Sequence, residues 1–111
     1  MSPNQVEPLI SEIVSRIVSG FDPEAVILFG PQARGQASPD SDVDLAVIFS
    51  SLPGRRMDRA VEIHRRLHGA GISKDIIVLT RKDYEEQKPW VGTIGHIIAR
   101  DGKLLYQKAE S

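Results

Sequence analysis

Leu28–Phe49 reads LFGPQARGQASPDSDVDLAVIF, with two glycines, an arginine and three aspartates lying between apolar residues. Asp40, Asp42 and Asp44 fall at alternate positions, and the last two lead directly into Leu45–Ala46–Val47–Ile48. In a strand, side chains i and i+2 share a face with their Cα atoms about 6.6 Å apart. A strand beginning by Asp42 therefore points Asp42 and Asp44 the same way. A charge leaving water needs a partner, and two like charges on one face call for a cation. Oxygen-only ligands favour a hard divalent ion, and a few carboxylates with room for water and phosphate suit Mg²⁺. A calcium-loop reading fails, because Leu45 stands where that loop needs glycine and Ser51 where it needs glutamate. The plainer account of Ser38–Asp42 is a turn built from residues that favour turns.

Just upstream, Gly30 and Gly35 let the backbone bend sharply and approach a ligand closely. If the chain turns helical after Gly30, its free N–H groups face outward as an anion site. Arg34 adds a permanent positive charge suited to phosphate. Pro31 fits the first turn of a helix but brings no N–H donor. Downstream, Asp75 opens a third apolar run, Ile76–Leu79, much as Asp44 opens its own. If those two strands are neighbours, Asp42, Asp44 and Asp75 converge at one sheet end. That is enough for a two-metal site with ions about 3.5–4 Å apart. A phosphate cradle beside metal-binding carboxylates is how phosphoryl and nucleotidyl transfer are organised, through positioning and charge neutralisation.

The rest of the chain supplies a compact frame. Val6, Leu9, Ile10, Ile13, Val14, Ile17 and Val18 recur at helical spacing, ending near Gly20. Ala25–Phe29 and Val43–Phe49 read as strands, Arg56–His68 as a helix, and Asp75–Leu79 as a strand covered on both faces. Met57, Ala60, Val61, His64 and Leu67 form the expected inner stripe of that helix. Thr80 with Asp83 marks a helix start, Thr93–Arg100 a last short helix stopped by Asp101–Gly102, and Lys103–Tyr106 an edge strand. The expected fold is α/β (α+β), a small mixed sheet with helices packed on it, as one domain over residues 1–111.

Bulk composition bounds the function. The 111 residues are 41% hydrophobic and 26% charged, with net charge −1 and no cysteine. These values exclude a disulfide scaffold or thiolate metal site and argue against direct nucleic-acid binding through bulk positive potential. No apolar run exceeds five residues, as in Ala25–Phe29, so no membrane association is expected, and a cytoplasmic location is the default. Arg55, Arg56, Arg59, Arg65, Arg66 and His68 make one helix locally basic, either a solvated face or a docking surface. His64 is expected as a packing residue, Trp90 as a packing residue or a partner contact, and His96 lacks a second histidine at zinc-ligand spacing. Ser38 and Ser41 are turn formers with no histidine placed to activate them.

Gly30–Pro31–Gln32–Ala33–Arg34–Gly35 followed by Ser41–Asp42–Val43–Asp44–Leu45 resembles the signature of the minimal nucleotidyltransferases, within the DNA polymerase β-like nucleotidyltransferase superfamily. The resemblance extends through the Asp75 strand to the closing VGTIGHIIARDGKLLY. It implies the nucleotidyltransferase fold, with Asp42 and Asp44 binding Mg²⁺ and Asp75 as third carboxylate, a metal ligand or the base that activates an acceptor hydroxyl. It implies that Gly30, Pro31, Arg34 and Gly35 hold the phosphates of ATP or another NTP, with two Mg²⁺ ions. It further implies an antitoxin role toward a small helical HEPN-type protein, to whose hydroxyl AMP is transferred; a homodimer is the other assembly left open. The signature usually carries serine where this chain has Pro31. That departure leaves an alternative, an inactive or attenuated binding module that neutralises its partner by contact.

Overall fold

The computed structural model describes residues 3–35 and 42–109, and in the first helix the side chains from residue 7 onward. Asp40, Ser38 and Ser41 lie outside the described residues. The chain order is α1 (Pro3–Phe21), β1 (Ala25–Phe29), α2 (Gly30–Ala33), β2 (Val43–Phe49), α3 (Arg56–Arg66), β3 (Lys74–Thr80), α4 (Arg81–Gln87), α5 (Ile94–Asp101) and β4 (Lys103–Gln107). The strands form one mixed sheet in the order β3-β2-β1-β4. β1 runs antiparallel to both β2 and β4, while β2 and β3 are parallel, joined by the α3 crossover.

The apolar runs of β1 and β2 are continuous because each face of the sheet meets a helical layer. Val26, Leu28, Val43, Leu45, Val47, Ile76 and Val78 point to one face, where Ile10, Ile13 and Ile17 of α1 and Ile63 of α3 close over them. Ala25, Ile27, Phe29, Ala46, Ile48 and Leu79 point to the other, under Tyr84 of α4 and Ile98 of α5. The α4–α5 layer is set by caps. The Thr80 hydroxyl accepts from Asp83 N–H at 3.1 Å, and the Thr93 hydroxyl accepts from His96 N–H at 3.2 Å.

Two packing expectations need correction. On α3 the buried stripe is Ile63 followed by Leu67, with Ala60 half-buried beside them, whereas Met57, Val61 and His64 face solvent. Ile63, not His64, sets the phase of the stripe. Arg59 lies on the inner side, its guanidinium 5.4 Å from the Phe49 ring centre and 5.9 Å from that of Phe21. An arginine can cover apolar surface while keeping its charge wet, so a helix face can be inward without reading as apolar. Trp90 is 67% exposed and is not a core packing residue. Its turn is held by polar contacts instead: the Thr93 hydroxyl donates toward Gln87 O (2.9 Å) and Trp90 O (2.8 Å), and Gln87 Oε1 accepts from Gly95 N–H at 2.8 Å.

Candidate active site

The sheet has two chemically different ends. At one, β1 finishes and β2 and β3 begin. Asp44 is the one residue of β2 that is not buried. It pairs across the antiparallel ladder with Phe29 and, across the parallel ladder, with Asp75. Residues in register in adjacent strands point to the same face, and Asp42, two residues before Asp44, shares it. All three therefore project on the α4–α5 side. Asp42 and Asp75 are exposed and Asp44 is half-buried.

This arrangement is electrostatically unfavourable without a counter-charge. Burial, then the charges of Asp75 and Asp42, push the Asp44 carboxyl above its ordinary value of 3.8, and Arg34 offsets part of the effect. An all-oxygen, mutually repelling donor set fits a hard divalent cation such as Mg²⁺. Among the described residues, no group of three or more His, Cys, Asp or Glu side chains is drawn together as a finished metal cluster. Asp42, Asp44 and Asp75 are thus the residues that could hold such an ion, with water and phosphate oxygens completing its shell.

The raised Asp44 value fixes the sign of a stability effect. A carboxyl whose folded-state value exceeds its unfolded one destabilises the fold above that folded value, and the cost is lifted as pH falls through it. In metal-free protein at pH 7, Asp44→Asn is expected to raise Tm by roughly 1–4 °C, a relief below about 1 kcal/mol. The gap between variant and parent should close on acidification below about pH 4. Differential scanning calorimetry in chelator checks this, and a lower Tm for the variant contradicts it.

Gly30 joins the carboxylates to the α2 turn. Its φ of +72° belongs to the left-handed region, and a Cβ there would run into the Asp44 carboxylate. The sequence places glycine here because the backbone must pass against that side chain. From Gly30 the chain makes one helical turn with Pro31 inside it, closed by Arg34 N–H to Gly30 O at 3.3 Å and Gly35 N–H to Gln32 O at 3.4 Å. Gly35 also has positive φ, +69°, and among the described residues nothing lies within 4 Å of a Cβ placed there.

Arg34 donates to Asp101 at 3.4 Å, and Asp101 in turn accepts from Arg100 at 2.9 and 3.0 Å. In the sequence Asp101 marks only a helix stop, with Gly102. No local signal announces a contact between residues 67 positions apart. His96 is engaged with the end of α4, its Nδ1 2.8 Å from Lys88 O.

At the opposite end of the sheet lies a broad depression of about 1010 Å³ bordered by Glu24, Arg81, Glu85, Gln107 and Lys108. Its charges already compensate one another: Arg81 pairs with Glu24 (3.0 Å) and Glu85 (3.4 Å), and Lys108 with Asp22 (2.9 Å). At the carboxylate end, by contrast, burial and then Asp75 and Asp42 push the Asp44 carboxyl up and Arg34 offsets only part of that effect, which makes that end the candidate site. No helix among the described residues is long and apolar enough to cross a membrane.

Comparison with known proteins bears on the fold and the family. A candidate protein adenylyltransferase from Methanocaldococcus jannaschii is 58% identical over 40 residues, a match covering 36% of this chain. The match spans 27% of the length of that curated relative. A crystal structure described as a candidate nucleotidyltransferase from Sulfolobus solfataricus superposes with a TM-score of 0.64 at 28% identity, covering 91% of this chain and 79% of the other. A toxin–antitoxin structure with AMP-PNP shares the fold, with a TM-score of 0.56 at 16% identity over 88% of this chain and 73% of that one. The family model described as polymerase beta, nucleotidyltransferase matches residues 11–111, and the chain belongs to that family of nucleotidyltransferases.

Proposed function

We propose that residues 1–111 act as one nucleotidyltransferase domain that moves AMP from ATP to a hydroxyl group on a partner protein, in the setting of a toxin–antitoxin pair. The observation that carries this reading is the in-register placement of Asp44 beside Asp75, with Asp42 on the same face and the Gly30 turn against Asp44. The fold shared with a toxin–antitoxin structure containing AMP-PNP supports the choice of an adenine nucleotide and a protein partner. The partner of this proposal is a small helical protein of the HEPN type.

In this reading, Asp42 and Asp44 hold Mg²⁺ with Asp75 as third carboxylate, and the bound ion supplies Lewis-acid stabilisation of phosphate charge. The turn from Gly30 to Gly35 and the Arg34 guanidinium receive the phosphates. The acceptor hydroxyl forms a new P–O bond at the α-phosphorus, the bond to the β-phosphate oxygen breaks, and pyrophosphate leaves. The hydroxyl proton passes to the Asp75 carboxylate, which is exposed at the mouth of the site.

Pro31 favours a second reading, a module that neutralises its partner by contact alone. It lies in the first turn of α2 and cannot donate a backbone N–H to phosphate. Incubation with α-³²P-ATP, Mg²⁺ and the product of the neighbouring gene separates the two. Label on the partner supports transfer, and a tight complex without label or pyrophosphate supports contact alone. Pro31→Ser is expected to raise the labelling rate by about tenfold or more, the value of restoring one charge-assisted donor. A rate equal to the parent's shows that the proline is tolerated.

A further inference from the structure

Resting on the transfer reading above, we infer that Asp101 is a positioning residue for nucleotide binding: it draws the Arg34 guanidinium away from the carboxylates and holds it ready for the polyphosphate. Three observations carry this. First, Arg34 ends the α2 turn and reaches Asp101 at 3.4 Å, while also acting electrostatically on Asp44. It therefore stands between two sets of anions.

Second, Asp101 is held by the fold. Arg100 grips both of its oxygens at 2.9 and 3.0 Å. Gly102 N–H closes α5 on Ile98 O at 2.8 Å, and a Cβ at Gly102 would meet Ile27 Cγ2 at 2.6 Å. The end of α5 is thus seated directly on β1, the strand that delivers Gly30. The Asp101 side chain is only 15% exposed, against 40% for Arg34 and 61% for Arg100. Hydrogen bonding from Arg100 and then the nearby arginine charges hold its carboxyl below the usual range, so it stays ionised.

Third, one alternative open to Arg34 is unproductive. Its charge already acts on Asp44. A guanidinium settled on that carboxylate would compete with the divalent cation for the same oxygens. Asp101 relieves this competition. It acts through Arg34 and touches no reacting atom.

The test is a double-mutant cycle read by binding. The dissociation constant of Mg²⁺·α,β-methylene-ATP, which resists cleavage at the reacting bond, is measured by titration calorimetry for the parent, Asp101→Asn, Arg34→Ala and the double variant. Asp101→Asn is expected to weaken binding about tenfold with Tm unchanged, and to add nothing in the Arg34→Ala background. Equal affinity for parent and Asp101→Asn overturns the inference, as do losses that multiply in the double variant. In the labelling assay the loss should appear in KM for ATP and leave kcat within about twofold; the reverse pattern overturns the inference. A parent that neither binds the nucleotide nor transfers AMP overturns the functional reading and this inference together. A parent that does both, beside an Asp101→Asn variant that binds equally well, overturns this inference alone.

Discussion

Asp42→Asn combined with Asp44→Asn is expected to reduce Mg²⁺-dependent AMP transfer by at least about 10³-fold, or roughly 4 kcal/mol of transition-state stabilisation. The fold should remain, and in metal-free protein Tm should not fall. The two substitutions keep side-chain volume, so neither the β2 packing nor the pairing of Asp44 with Phe29 and Asp75 loses shape. What they remove is charge. Asn presents a neutral amide to a hard cation, and the loss of two carboxylates leaves Asp75 as the one carboxylate of the three. Labelling of the partner from α-³²P-ATP, with circular dichroism melts as the control, measures both quantities. Unchanged labelling in the folded double variant would sink the mechanism. Under the contact-only reading the same variant still forms the partner complex, so pull-down and labelling diverge.

The second large effect is expected from Gly30→Ala, measured against Gly35→Ala. Both glycines have positive φ, +72° and +69°, so any residue with a Cβ incurs the left-handed penalty at either place, about 1–2 kcal/mol. Only at Gly30 does the added methyl also meet the Asp44 carboxylate; at Gly35 none of the described residues lies within 4 Å of it. Crowding of that kind costs a further 1–3 kcal/mol or so. Gly30→Ala should therefore destabilise by about 2–5 kcal/mol and lose most AMP transfer, while Gly35→Ala should stay near 1–2 kcal/mol and keep the carboxylates in place. Urea denaturation of the two variants checks the difference. Equal destabilisation would show that the approach of Gly30 to Asp44 is not what requires glycine.

The parts of the fold that were legible in the sequence are those governed by local periodicity. Ala25–Phe29, Val43–Phe49 and the run after Asp75 announce themselves as strands because both faces are covered, and period two alone puts Asp42 and Asp44 on one side. Thr80 with Asp83 was legible because an N-cap is a short-range hydrogen bond. Strand order was not: that Asp75 stands beside Asp44 depends on β2 and β3 pairing in parallel and in register, which no local pattern specifies. The phase of α3 was misread because Arg59 faces inward over Phe21 and Phe49 while Met57 and Val61 face out. Trp90 was misread because backbone and hydroxyl hydrogen bonds shape its turn without burying the ring. Asp101 was invisible because its meaning lies in a contact with Arg34.

The register of the parallel ladder has a consequence for how this chain tolerates change. Ile76 and Val78 enter one core layer and Leu79 the other, and the same alternation carries Asp75 to its place beside Asp44. A slip of one residue would turn the whole strand over, exchanging buried for exposed positions and removing Asp75 from the face it shares with Asp44. Packing and chemistry are therefore inherited together along β3: substitutions that preserve its hydrophobic alternation preserve the third carboxylate's address, and selection on the core also guards the site.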